Sequence, residues 1–153
     1  MAWFLTQRWW DREPIKSAEF TAGFNPHRPH EVLIQHRERG LVGVARPPKE
    51  NGGSVTARLE PAAAATGRLL ADGKPQAGVE LELALRPKGW GGWHDYSPER
   101  IKTDGQGRFR VEALIPGYEF RLRGDRGELP LGDGLRSGQT KDLGDVQLKP
   151  PEK

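Results

Sequence analysis

Cysteine is absent from this sequence of 153 residues. It can therefore build neither a disulfide nor a thiolate metal site, and its redox compartment is left open. Long apolar runs are missing as well. No stretch approaches the roughly 20 residues that a spanning helix needs, so no membrane insertion is expected. The opening MAWFLTQRWWDREP has no continuous apolar core and no small-residue cleavage site, and does not read as a signal peptide. Helix signals are scarce. PAAAAT, from Pro61 to Thr66, has the best local propensity, but it is short and reads as a connector. Finally, there is little charge bias. The 24 basic and 21 acidic residues leave +3, well mixed along the chain. A nucleic-acid binder concentrates its basic excess, so no nucleic-acid partner is expected.

What the sequence does have is turns. Its 20 Gly and 13 Pro sit between short patterned runs, which favours many strands over long helices. EVLIQHRE (Glu31 to Glu38) and SVTARLE (Ser54 to Glu60) look like strands. After the turn DGKP, the run AGVELELALR alternates: Val79, Leu81, Leu83 and Leu85 share one face, Glu80, Glu82 and Arg86 the other. Phe109 and Val111 alternate with Arg108 and Arg110; Tyr118, Phe120 and Leu122 alternate with Glu119, Arg121 and Arg123. Val146 and Leu148 close the pattern. One wet face and one apolar face belong to antiparallel sheets, and two such sheets make a sandwich. The fold class read here is all-β, with Val79, Leu81, Leu83, Leu85, Phe109, Val111, Phe120, Leu122, Val146 and Leu148 in the core.

The segment TDGQGRFRVEALIPGYEFRLR poses a question about its arginines. If its two strands are hairpin neighbours, Arg108, Arg110, Arg121 and Arg123 form one basic surface. If the Pro116-Gly117 corner carries the chain to the other sheet, the charges are split. Either arrangement first reads as a solvated sheet face that deters edge aggregation. With no aromatic among these outward positions, a base-stacking platform is not expected.

A repeat underlies the pattern. Phe20 and Phe109 are 89 positions apart, Pro26 and Pro116 are 90, Leu41 and Leu131 are 90, and Pro61 and Pro150 are 89. The unit is therefore about 90 residues long. Residues 63–150 form a complete unit and residues 151–153 a tail. Residues 1–62 hold only the second half of another, a partial β unit. Apolar residues there, among them Phe20, Phe24, Val32, Ile34, Val55 and Leu59, are expected to need cover from the complete unit, from a second copy or from missing strands of a parent chain. The same holds for Trp3, Phe4, Trp9 and Trp10.

The second unit resembles the carboxypeptidase regulatory-like domain, a transthyretin-like (prealbumin-like) β-sandwich. The matching text is GRLLADGKPQAGVELEL, TDGQGRFRVEALIPGYEFRLR and SGQTKDLGDVQLKP. The family shows a D-x-G-x-P turn, a T-D-x-x-G-x-F turn and strand, and a Leu-x-Pro-Gly corner followed by an aromatic. Ile115 departs from the Pro common at the middle of that corner. The resemblance implies an antiparallel Greek-key β-sandwich, preceded by a partial repeat of the same kind. It implies a place in bacterial tandem-domain proteins of the cell envelope or outside the cell. There such modules act as stalks, spacers or interaction units, with neighbouring domains or a second copy as protein partners.

Candidate chemistry is sparse. His27, His30 and His36 cluster in sequence, but His30 and His36 are about 20 Å apart on an extended strand. No metal site is expected there. TDGQG and LGDG each carry one carboxylate, too few for a calcium loop, and read as turns. No nucleophile-elbow, Walker or zincin motif occurs, and His94-Asp95 are merely adjacent. No cofactor and no catalytic residue are expected. The most distinctive segment is RPKGWGGWHDYSPER, with Trp90, Trp93 and Tyr96 spaced by three around a Gly-Gly pair. Such aromatics either fold back over the sheet edge or stack on the apolar faces of sugar rings. The chain reads as a non-catalytic structural or interaction module. The alternative is a carbohydrate-binding module that takes polysaccharide through Trp90, Trp93 and Tyr96.

Overall fold

The structure is a computed structural model that describes residues 2–5, 12–15, 31–46, 54–86, 92–96 and 100–150. Trp9, Trp10, Phe20, Phe24, His27, His30 and Trp90 lie outside the described residues. Two compact units emerge, Met1–Ala62 and Ala63–Lys153. Every regular element among the described residues is a strand, apart from one 3₁₀ turn at Arg37–Arg39.

The first unit is a five-stranded antiparallel sheet. Its strands are β1 (Ala2–Leu5), β2 (Arg12–Ile15), β3 (Val32–His36), β4 (Leu41–Ala45) and β5 (Glu60–Pro61), in the order β2-β1-β3-β4-β5. The Trp-rich start thus supplies β1, which pairs with β3 through Phe4↔Ile34 and Leu5↔Leu33. Val32 and Ile34, expected to lack cover, are buried with Ala45 and packed by Ala57 and Leu59. Among the described members of that group, only Val55 is exposed, at 51%. Ser54 to Leu59, which reads as a strand, has no regular structure; pairing is confined to Glu60–Pro61.

The second unit is built from β6 (Ala63–Ala71), β7 (Lys74–Pro75), β8 (Glu80–Arg86), β9 (His94–Asp95), β10 (Ile101–Lys102), β11 (Arg108–Leu114), β12 (Glu119–Gly124), β13 (Gly127–Gly132) and β14 (Thr140–Val146). One sheet runs β10-β8-β12-β13, with β9 also on β8; the other runs β11-β6-β14, with β7 on β6. All pairs are antiparallel except β6 with β14, which is parallel. The alternating strands bury Leu81, Leu83, Leu85, Phe120 and Leu122 from the first sheet and Phe109 and Val111 from the second. Each such side chain contributes roughly 1.5–3 kcal/mol. Val79, Val146 and Leu148, expected in this core, are only half-buried because they lie at or beyond strand ends.

The supposed connector PAAAAT is the clearest correction. Ala63 to Thr66 open β6, the central strand of its sheet. A residue without a side chain is required at Gly67, next in the strand: a Cβ there would come within 2.7 Å of the Phe109 ring. Tertiary packing overrides the helical preference of alanine.

The turns hold the two sheets in place. Thr103, 3% exposed, donates its hydroxyl to Gln76 O at 2.6 Å and accepts from Val79 N–H at 2.9 Å. Asp104 Oδ1 accepts from the backbone N–H of Gln106 and of Arg108, at 2.9 and 2.8 Å. These two bonds, that to Arg108 first, hold its carboxyl below the usual range. Gly107 follows at φ 79, where an added Cβ would lie 2.7 Å from Leu69 O. The T-D-x-x-G-x-F text is therefore a staple joining β6, the β7–β8 turn and β11. At the next corner, Pro116 and Gly117 (φ 82) form the centre of a turn closed by Tyr118 N–H on Ile115 O at 3.3 Å. Pro followed by a left-handed Gly is the requirement of a type II turn.

Each unit contains a hairpin flanked by a further strand. The β3–β4 hairpin pairs Gln35↔Val42 and His36↔Leu41; the β12–β13 hairpin pairs Leu122↔Leu129 and Arg123↔Glu128. The first closes at His36↔Leu41 across four residues; the second continues to Gly124↔Gly127 across two, and its register shifts between Phe120 and Arg121. Just past each turn a returning segment closes on the hairpin: Leu41↔Pro61 in one unit, Glu128↔Lys149 in the other. The hairpins are flanked alike, by β1 beside β3 and by β8 beside β12.

Candidate functional site

The outward face of the β8–β12–β13 sheet is the most chemically loaded part of the described residues. Alternation places Glu82, Ala84 and Arg86 of β8 there, opposite Arg123, Arg121 and Glu119 of β12. β9 pairs Asp95 with Ala84, bringing Trp93 and Asp95 to the same face. Trp93 is half-buried. The Arg86 guanidinium carbon lies 4.8 Å from its ring centroid and that of Arg121 4.2 Å. Beneath this layer Ala84 is fully buried, although it faces outward.

Carboxylates balance the arginines. Arg121 donates to Glu128 at 2.7 Å, with both side chains mostly shielded. Arg86 meets Glu119 at 3.3 Å. Arg123 pairs with Asp95 and reaches Glu82 at 3.8 Å. Arg100 bridges Glu80 and Glu82 at 3.0 and 3.4 Å. The Nε of Arg121 is buried and makes no hydrogen bond among the described residues; the Trp93 ring lies against its guanidinium.

The structure separates residues that the sequence groups together. β11 and β12 belong to different sheets, so the four arginines do not form one basic surface. Arg108 and Arg110 sit on the β11–β6–β14 side. Arg110 pairs with Glu112 at 2.7 Å. Arg108 faces Arg68 across the strands, and Arg68 is drawn instead to Asp145 by two 2.9 Å bonds. Tyr96 is not on an aromatic surface at all. It is 1% exposed, packs edge-on against Phe120 at 5.1 Å, and donates to Ala113 O at 2.6 Å. Burial in the core removes it from a sugar-stacking set.

Sequence reasoning missed Arg86, Glu82 and Asp95 as members of this cluster. The alternation of β8 placed Arg86 and Glu82 outward, but only the β8–β9 pairing shows what they face. Among the described residues no three of His, Asp or Glu gather to hold a metal. No family model matches the chain, and no curated protein matches it.

Proposed function

We propose that this chain is a non-catalytic structural or interaction module: a spacer, stalk or assembly unit made of tandem β domains. The observation that carries this reading is that the chain forms two successive compact β units. Each contains an antiparallel hairpin with which a later segment of the same unit pairs. Chains that repeat one β unit use it to set distance and present surface. The resemblance to the carboxypeptidase regulatory-like domain, with its transthyretin-like Greek-key sandwich, points the same way. The residues with the most chemical potential support it further. Thr103 and Asp104 bond the backbone, Tyr96 fastens a core bulge, and Arg86 and Arg121 cover Trp93.

The competing reading is a carbohydrate-binding module, for which Trp93 remains a partly exposed aromatic. Electrophoresis of the full chain in native gels cast with a panel of soluble polysaccharides tests the choice. The module reading expects mobility equal to that in plain gels. Retardation by one polysaccharide, lost in Trp93→Ala, would replace it with the carbohydrate reading.

A further inference from the structure

The first and last strands of the second unit are neighbours and run in the same direction. Thr140 lies beside Ala64, Lys141 beside Ala65, Asp145 beside Arg68 and Val146 beside Leu69. We infer that this unit is a load-bearing clamp, in which tension along the chain shears β14 against β6. The use of such a clamp rests on the spacer reading above; its mechanics rest on topology alone.

Tension draws β6 backward from Ala63 and β14 forward from Val146. In parallel neighbours those pulls are opposed along the strand axis. The backbone hydrogen bonds between them lie across the force, share it, and yield together. An antiparallel pair held at its open end would instead lose its bonds one by one. β6 is also gripped on its other side by β11, from Arg108↔Arg68 to Leu114↔Ala63. Sliding β6 therefore loads two ladders at once.

Side chains reinforce the shear line. The ladder is interrupted between Asp142 and Asp145. Just past that irregularity Arg68 and Asp145 form a two-point bridge, Nε to Oδ1 and a terminal nitrogen to Oδ2, both at 2.9 Å. Planar two-point pairing fixes register as well as distance. At the far end Ala64 N–H donates to Gln139 O at 2.8 Å. After β14 the chain crosses to the other sheet, where Lys149 and Glu128 exchange two backbone bonds of 2.7 and 2.9 Å. That single bridge meets tension from the C-terminal side first and is expected to give way before the clamp.

Single-molecule pulling on the full chain tests this. Because the sequence has no cysteine, one introduced thiol defines a tether. Tether one runs from the N-terminus to the C-terminus. Tether two runs from the N-terminus to Ser137→Cys, in the exposed turn before β14, and peels β14 from β6 instead of shearing it. In tether one the unit's unfolding is recognised by the release of about 300 Å of chain. The clamp predicts a severalfold higher unfolding force in tether one than in tether two. It also predicts that Arg68→Met lowers the force in tether one and leaves tether two unchanged. Equal forces in the two tethers overturn it. A high force in tether one from a chain that polysaccharide retards in gels would sustain the clamp and refute the spacer reading.

Discussion

The Tyr96 hydroxyl donates a 2.6 Å hydrogen bond to the carbonyl of Ala113, a residue whose backbone is left-handed at φ 60. Ala113 sits where the β11–β6 register shifts, between Val111 and Leu114. A left-handed alanine costs roughly 1–2 kcal/mol. Tyr96 thus fastens a strained bulge at the rim of the core.

Removing that hydroxyl should expose the strain. Tyr96→Phe is expected to lower unfolding free energy by about 1–2 kcal/mol, because it leaves a shielded carbonyl without its donor. Ala113→Gly relieves the backbone and should be neutral or stabilising by up to about 1 kcal/mol. Urea unfolding of both variants checks this; a destabilising Ala113→Gly would show that the bulge is not strained.

Gly107 admits no side chain. Gly107→Ala combines a left-handed φ with a Cβ 2.7 Å from Leu69 O. A loss of more than about 2 kcal/mol is expected, within the range of strain at special backbone positions. A variant as stable as the parent would mean that the staple is wrongly described.

The two exposed aspartates with depressed pKa, Asp104 and Asp145, set an acid limit. Backbone donors lower the first, and the Arg68 guanidinium lowers the second. A carboxyl depressed in the fold binds protons more readily when unfolded. Its contribution is therefore complete above the unfolded value of about 3.9 and is lost as pH falls through the lower folded value. Urea midpoints measured from pH 6 down to pH 2 should fall below about pH 4, and less steeply in Asp104→Asn. Identical pH profiles for parent and variant would exclude Asp104 from that linkage.

The arginines should differ sharply despite their shared sequence pattern. Arg110 is exposed and, among the described residues, pairs only with Glu112, so Arg110→Ala should change stability by less than about 0.5 kcal/mol. Arg121 is largely shielded between Trp93 and Glu128, so Arg121→Ala should cost about 2 kcal/mol. Equal losses would contradict the layered arrangement on that face.

The sequence showed β8, β11 and β12 clearly because each has one wet face. Leu81, Leu83 and Leu85 alternate with Glu80, Glu82, Ala84 and Arg86, and Phe109, Val111, Phe120 and Leu122 alternate with charged residues. β6 was hidden. It is sandwiched between two strands and opens with alanines, whose local preference points to helix, before Gly67 leaves room for Phe109. The turns were legible from Thr103, Asp104, Gly107, Pro116 and Gly117, since each performs a backbone task that few residues can. The Trp93 face was not. Its members come from β8, β9 and β12, and a spacing of three among Trp90, Trp93 and Tyr96 says nothing of strand parity. By parity Trp93 and Tyr96 point to opposite faces, and the structure puts Tyr96 inward.

Whether the side chains of this face serve the fold or a ligand is read by one variant, Trp93→Ala. Urea unfolding and polysaccharide gel mobility are measured on the same preparation. The module reading predicts a loss of about 1–2 kcal/mol, as Arg86 and Arg121 lose the ring they stack on, with mobility unchanged in every gel. Unchanged stability together with lost retardation in one polysaccharide would contradict it.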